Sequence, residues 1–438
     1  MGGPSTRSRG NAPVLGISLA VCAFLLLWFG WMMSRLGHSF DNSLDVEALY
    51  SIDRVAALAH RGDGNASRTV VYWPPLMALE QQQGGYPHYK SLLSLVTSWN
   101  PDVPDPPREF HETLQHFNYS DLAERAMAVQ YRNAELPFKL YDVPAFSRVS
   151  LEWTDAYLEA NMGSDAPHVE QSPDNHFMYW TMSGGRPQEG FVPPTELVDL
   201  SFKKWLALAH RADVARIDST VKHYYFMTGS PPRDHGSNFI SRDLELFSTK
   251  NNNFFITDTK ANKGIQCRFG MRGIISEAHY DSGRNMVAMI RGDKRYILSP
   301  PKSCKQLGVI TDVRHPSFRH SIFDWSDPSQ SASRGFDSVD AIDTIVRTGE
   351  VLYIPSYWFH YIVSLGMSVQ CNSRRGSPPG RQGERDINEC IGEAARGGKR
   401  KKKSPVAGLR GAGGAGGAGG GGGGEGDKDE TAKRVLSR

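Results

Sequence analysis

No two cysteines in this chain stand at the Cys-x-x-Cys spacing that marks a structural zinc site, and five in 438 residues are too few for a disulfide-built scaffold. Cys22 lies in an apolar segment, which leaves Cys267, Cys304, Cys371 and Cys390 with their pairing open. An excess of either charge is lacking too. Lys and Arg number 50 against 47 Asp and Glu, a formal +3, and the one concentrated basic run, Lys399 to Lys403, falls where little else promises folding. This balance gives no reason to expect nucleic acid as the main partner. Apolar residues, by contrast, make up 39% of the chain, enough for a large core in one or two domains.

Some of that apolar content is concentrated. Ala12 to Met33 runs for 22 residues without a charge. At about 1.5 Å per residue such a helix crosses the hydrocarbon core of a bilayer. The run exceeds the apolar core of a cleaved signal peptide, about 7 to 15 residues, and no small-x-small cleavage site follows it. A retained transmembrane signal anchor over 12–33 is therefore expected, touching the membrane at Ala12 to Met33. Arg7 and Arg9 precede it, whereas Asp41, Asp45 and Glu47 follow soon after Arg35. Positive flanks stay on the cytoplasmic side. The expectation is a cytoplasmic tail over 1–11 and a single-pass type II membrane protein of the ER/Golgi system with a lumenal catalytic domain. The sequons at Asn65 and Asn118 agree with that placement.

Residues 34–133 read as a membrane-proximal region of helices and loops, interrupted by the proline-rich stretch Pro101 to Pro107. From Ala134 the texture changes to short apolar runs between Gly, Pro and Asn clusters. Helices are expected over 151–160 and 201–217, the second with Phe202, Trp205, Leu206 and Ala209 on one face. Strands are expected over 253–256, 265–269, 273–278, 286–290, 295–298, 351–354, 358–363 and 367–371. So many short strands predict a mainly β domain over 134–392, an antiparallel sandwich or barrel with added helices. The last segment, 393–438, is Gly-rich and basic and reads as a disordered tail.

Within this domain, His279-Tyr-Asp281 follows an apolar run, and residues two apart on a strand point the same way. His360 follows Val351 to Ile354, a stop at Pro355 and a short return. Two His and one carboxylate on one side of an ion leave its other positions open, the arrangement of non-haem Fe(II) oxygenases. A control is at hand in His168-Val-Glu170, which has similar residues but lies in a polar stretch with no strand expected on either side, and reads as a surface loop. Lys294 opens the apolar run KRYIL, where a buried ammonium calls for an anionic partner. Ser368, Gln370 and Asn372 share one face of the last strand. Arg291-Gly-Asp293 reads as a hairpin turn between strands.

The segments AHYDSGRN, GDKRYIL and GEVLYIPSYWFH together resemble the cupin-fold, JmjC-type 2-oxoglutarate oxygenases, in particular their hydroxylase-like branch, over about Ala134 to Ser373. The resemblance implies a double-stranded β-helix. It implies Fe(II) held by His279, Asp281 and His360, with 2-oxoglutarate as cosubstrate and O2 as the further reactant. It also implies that Lys294 pairs with the far carboxylate of 2-oxoglutarate, that Ser276, Asn285 and Asn372 lie at polar positions of its pocket, and that the cosubstrate tyrosine is Tyr224 or Tyr225. The expected reaction is hydroxylation of a protein side chain with release of succinate and CO2. The rival reading is a catalytically silent cupin-fold module, tethered to a membrane for binding or scaffolding. A cupin enzyme using a metal without 2-oxoglutarate leaves Lys294 unexplained.

Overall fold

Short strands dominate the computed structural model, which describes residues 86–401 apart from 101–105, 109, 111, 163–167, 182–189, 217, 219 and 377–380. The first strands in chain order are β1 (Lys90–Ser91), β2 (His116–Asn118), β3 (Phe138–Tyr141), β4 (His168–Ser172), β5 (His176–Phe177), β6 (Glu196–Val198) and β7 (His223–Ser230). The second half supplies β8 (Ile265–Gly270), β9 (Ile275–Tyr280), β10 (Arg284–Arg291), β11 (Lys294–Ser299), β12 (Asp340–Val346), β13 (Val351–Ile354), β14 (Phe359–Ser364) and β15 (Ser368–Arg375). Helices α1 (Leu92–Ser98), α2 (Leu122–Asn133), α3 (Pro144–Glu152), α4 (Asp155–Asn161) and α5 (Phe202–Val214) precede the main run of strands. Short helices α6 (Phe239–Asp243), α7 (Glu245–Ser248) and α8 (Pro328–Ser333) fill connections, and α9 (Gln382–Lys401) follows the last strand.

The strands form a six-stranded sheet, β1-β12-β11-β14-β9-β5, and a nine-stranded sheet, β2-β3-β13-β10-β15-β8-β7-β4-β6. From β8 to β11, and again from β12 to β15, each strand hands the chain to the opposite sheet. This alternation winds the two sheets into a mainly β jelly-roll. All pairs are antiparallel except β2 with β3 and β5 with β9. Strands β10 and β11 are buried along nearly their whole length, as expected for strands covered on both faces. On the far side of the nine-stranded sheet, Phe202 and Trp205 of α5 pack on Phe226 of β7 and Phe269 of β8, with ring centroids 5.2 to 5.9 Å apart.

Several expectations need correction. Arg291-Gly-Asp293 does not close a hairpin, because β10 and β11 belong to different sheets. It is a corner at which Gly292 takes φ +69°, and a Cβ there would lie 2.3 Å from the Met367 carbonyl oxygen. The run 253–256 is no strand: the Asn253 side-chain oxygen accepts from the amides of Phe255 (2.9 Å) and Ile256 (2.7 Å), which folds the buried apolar residues into a turn. The helix expected over 151–160 is two, since Thr154 caps α4 by accepting from the Tyr157 amide. The control motif lies on a strand and not in a surface loop, for β4 begins at His168 and pairs with β7. Nor does regular structure end at 392. Helix α9 continues to Lys401, with Ile387 buried and Cys390 bridged to Cys304.

The region 34–133, expected as membrane-proximal helices and loops, joins the two sheets in its described part. Strand β1 pairs with β12, and β2 runs parallel to β3. Arg295 of β11 forms a buried ion pair with Asp343 (2.7 Å) while donating to the carbonyls of Leu95 (2.7 Å) and Trp99 (3.2 Å), which ties the end of α1 to the six-stranded sheet. A second disulfide, Cys267–Cys371, joins directly opposed residues of β8 and β15. Among the described residues no helix is long and apolar enough to cross a membrane. The expected anchor at 12–33, the sequon at Asn65 and the tail beyond 401 lie outside them.

Candidate metal centre

Strand β9 carries an irregularity on which the site depends. His279 pairs with His360 of β14 and Ser276 pairs with Ile362, so Glu277 and Ala278 together oppose Tyr361 alone. A bulge of this kind re-aims side chains. Here it lets Ser276 and His279, three residues apart, both line the interior cavity, together with His360 and Ile362. Asp281 joins them two residues beyond His279.

The ring of His279 donates through Nδ1–H to the Glu277 carbonyl (2.7 Å), and that of His360 to the Trp358 carbonyl (3.1 Å). A carbonyl only accepts, so each Nε2 is left with a lone pair directed elsewhere. The ring centroids are 4.2 Å apart, and one donor atom from each of His279, Asp281 and His360 lies within 4.8 Å of the others. Asp281 Oδ2 is buried and accepts no hydrogen bond; it lies 3.9 Å from His360 Nε2. Arg374 Nη2 stands 3.1 Å from that oxygen as an ion pair without hydrogen-bond alignment, and Arg319 Nη1 is 3.7 Å from Oδ1.

Burial pushes the pKa of both imidazoles below the ordinary histidine value, well below it for His279, so both are held in the neutral, ligating form. For Asp281 burial works the other way, but nearby positive charge, Arg374 foremost, outweighs it and keeps the carboxyl ionised. Two neutral imidazoles, one carboxylate and an orphaned carboxylate oxygen suit a divalent transition metal.

The cavity measures about 440 Å³. Asn372 donates to Asn285 (3.1 Å) and the Tyr296 hydroxyl to Gln370 (2.6 Å) along its floor. Of the two tyrosines, Tyr225 lines the cavity; Tyr224 does not, and its carbonyl accepts from the Trp205 indole. Lys294 is fully buried and reaches the cavity only through Tyr225, its Nζ lying 2.9 Å from the phenol oxygen. Burial lowers the pKa of this ammonium. Gly270 leaves room beside it, since a Cβ there would sit 2.6 Å from Ser364 Oγ and 3.5 Å from Lys294 Nζ.

Other cavity residues escape local motif reading. His320 stacks on His279 with centroids 5.0 Å apart, and burial pushes its pKa down to about 4. Arg268, Arg319, Arg374 and Arg375 line the cavity, as does Glu170 of the control motif. Behind β9, a second trio of His176, Glu277 and Asp324 also brings donor atoms within 4.8 Å of one another. There, however, His176 Nδ1 is already 2.5 Å from Glu277 Oε1, and that carboxylate raises the imidazole pKa to about 9 against the effect of burial.

Comparison with known proteins agrees in placing the β region. The family model described as a cupin-like domain matches residues 130–373. The chain is 32% identical over 107 residues to JmjC domain-containing protein D of Dictyostelium discoideum, covering 24% of each chain. It is 30% identical over 105 residues to lysine-specific demethylase 8 of Xenopus tropicalis, covering 24% of this chain and 23% of the relative. It is 27% identical over 105 residues to tRNA wybutosine-synthesizing protein 5 of Danio rerio, covering 24% and 30%. The aligned stretch thus spans less than a third of the length of these curated relatives.

Proposed function

Because the chain belongs to the cupin-like domain family, in its JmjC-type group, we propose that it is an Fe(II)- and 2-oxoglutarate-dependent oxygenase that hydroxylates a protein side chain. The observation that carries this reading is the meeting of two free imidazole Nε2 atoms and the unbonded Asp281 oxygen in one cavity with the Tyr225–Lys294 pair. His279, Asp281 and His360 would hold the metal. The far carboxylate of 2-oxoglutarate would meet the Tyr225 hydroxyl, with the Lys294 ammonium behind it supplying charge. Asn285, Asn372 and Ser276 would provide the polar remainder of that pocket; Tyr224 has no part in it. With iron, cosubstrate and dioxygen bound, the chemistry supplied is C–H hydroxylation coupled to release of succinate and CO2. The protein's share is to fix these positions and, through the buried side chains of Phe177, Val287 and Ile354, to keep bulk water from the reacting centre.

The proposed setting is a type II membrane protein anchored through 12–33, with its cupin-like domain in the lumen. The two disulfides, Cys267–Cys371 and Cys304–Cys390, support that setting, because such bonds persist in oxidising compartments. A protein substrate fits it better than a nucleic acid.

The test is direct. Purified protein supplied with Fe(II) is expected to release succinate from 2-oxoglutarate, and His279→Ala protein is not; equal release by both would remove the triad assignment. One observation favours the alternative of a catalytically silent binding or scaffold module: Arg374 sits 3.1 Å from the Asp281 oxygen that a metal would need. Iron content near zero in protein purified with iron present would decide for that alternative.

A further inference from the structure

The cavity wall holds five cationic side chains, Lys263, Arg268, Arg319, Arg374 and Arg375, against two acidic ones, Glu170 and Asp281. Four of the five are engaged. Arg319 and Arg374 face Asp281, Arg375 donates to Thr257, and Lys263 has an interaction partner of its own. Arg268 differs. Mid-strand in β8, between Met227 of β7 and Gln370 of β15, its half-buried guanidinium has no hydrogen bond or ion pair with any described residue, and Glu170 acts on it only as a more distant charge. A guanidinium is always charged, and holding one part-buried without an anion is costly.

Its position indicates where the missing anion comes from. A second groove, of about 920 Å³, runs over β4, β6 and β7 and meets the metal cavity at a shared wall that includes Arg268, Lys263 and Glu170. A chain lying in this groove would pass Arg268 on its way to the metal centre. The small cosubstrate, seated at Tyr225, has its far carboxylate answered by Lys294 already.

We propose that Arg268 is the specificity-determining residue of a carboxylate subsite, and that the substrate of this enzyme is a peptide segment carrying an acidic side chain beside the residue to be hydroxylated. The inference rests on the oxygenase reading for its term "substrate", but the binding it describes is separable from turnover. A planar, two-pronged donor on a rigid strand matches a carboxylate in a way that a flexible lysine does not.

The test uses the full chain in detergent, loaded with Zn(II) in place of iron and with 2-oxoglutarate, so that binding is read without turnover. Fluorescence anisotropy compares a labelled glutamate-containing peptide with its counterpart bearing glutamine at each glutamate. Wild-type protein is expected to prefer the acidic peptide by about tenfold or more, the scale of a charge-assisted pair. Arg268→Gln is expected to abolish the preference, and Arg268→Lys, which keeps the charge and guards against a folding defect, to reduce it severalfold. Equal binding of both peptides by the wild type overturns the proposal, as does a full preference retained in Arg268→Gln. So does an Arg268→Gln protein that keeps the peptide preference and instead needs more 2-oxoglutarate for half-maximal succinate release, since the guanidinium would then serve the cosubstrate. Succinate release by the wild type without peptide tests the oxygenase reading by itself; its absence alongside an intact peptide preference removes that reading and leaves the acidic-peptide site standing.

Discussion

Strand β9 has a trio of ligand-type residues on each side, and the two trios differ in what their donor atoms are already doing. In front, His279 and His360 use only the Nδ1 side of each ring for backbone contacts, which leaves both Nε2 atoms without hydrogen bonds, and Asp281 Oδ2 accepts none either, with Arg374 beside it as an ion pair. Behind, His176 and Glu277 satisfy one another as an ion pair, with Asp324 adding negative charge. Both trios bring their ligand atoms within 4.8 Å of one another, the front one with two His and one carboxylate and the rear one with one His and two carboxylates. The difference teaches that a candidate metal centre is told apart by donors free of hydrogen bonds rather than by a His-and-carboxylate inventory.

The largest effect is expected in front. His279→Ala should lower iron affinity and succinate release by more than about 100-fold, beyond the 10- to 100-fold typical of residues that merely support a ligand. His176→Ala should leave the iron content unchanged; a loss of iron in that variant would erase the distinction between the trios. Next in size, Lys294→Ala should weaken 2-oxoglutarate binding by about ten- to a hundredfold, the scale of a charged hydrogen bond, with iron binding intact. A calorimetric titration reads both, and unchanged cosubstrate affinity would misplace the anion pocket.

The rear trio should show itself in stability instead. The pKa of His176 is raised from 6.5 to about 9 in the folded protein, so folding favours its protonated form. The stabilisation is complete below about pH 6.5 and is lost as pH rises through about 9. Wild type should therefore melt above His176→Gln at pH 6, by a margin worth no more than about 3 kcal/mol, and the two should converge above pH 9. A difference that grows with pH would contradict the ion pair. The smallest effect belongs to Tyr224→Phe, which should change cosubstrate affinity and stability by less than about 0.5 kcal/mol, in contrast to Tyr225→Phe, which removes the acceptor of Lys294.

These contrasts also mark what could be read from the chain alone. Strand β13 coincides with the expected 351–354, because Pro355 punctuates a short apolar run on one side and Gly349, at φ +87°, does so on the other. The burial of Lys294 was legible for a similar local reason, as a charge at the head of the mostly apolar strand KRYIL. Strand β12 was not: its Asp343 and Thr344 make DAIDTIV look half polar, and only Arg295 and Glu112, distant in sequence, explain why these two residues are buried. His320 and the four cavity arginines likewise acquire meaning from strands that come together across the fold. The apolar run at 253–256 signalled burial correctly and strand wrongly, because an Asn side chain can turn a backbone that hydrophobicity alone would leave extended. The distinction between Tyr224 and Tyr225 rests on which face of β7 meets the cavity, a matter of one residue of register.

Register also governs the one extra residue in β9. A regular strand alternates strictly, so Ser276 and His279 could not share a face. The bulge at Glu277 and Ala278 works as a phase shift along the strand, advancing the alternation by one step between Ser276 and the His279–Asp281 pair. One strand thereby keeps two separate schedules, with Ile275, Glu277 and Tyr280 turned outward and Ser276, His279 and Asp281 turned inward. Pairing the same residues regularly, without the bulge, would turn Ser276 to the face opposite His279 and Asp281. In this fold the more regular strand would be the defective one.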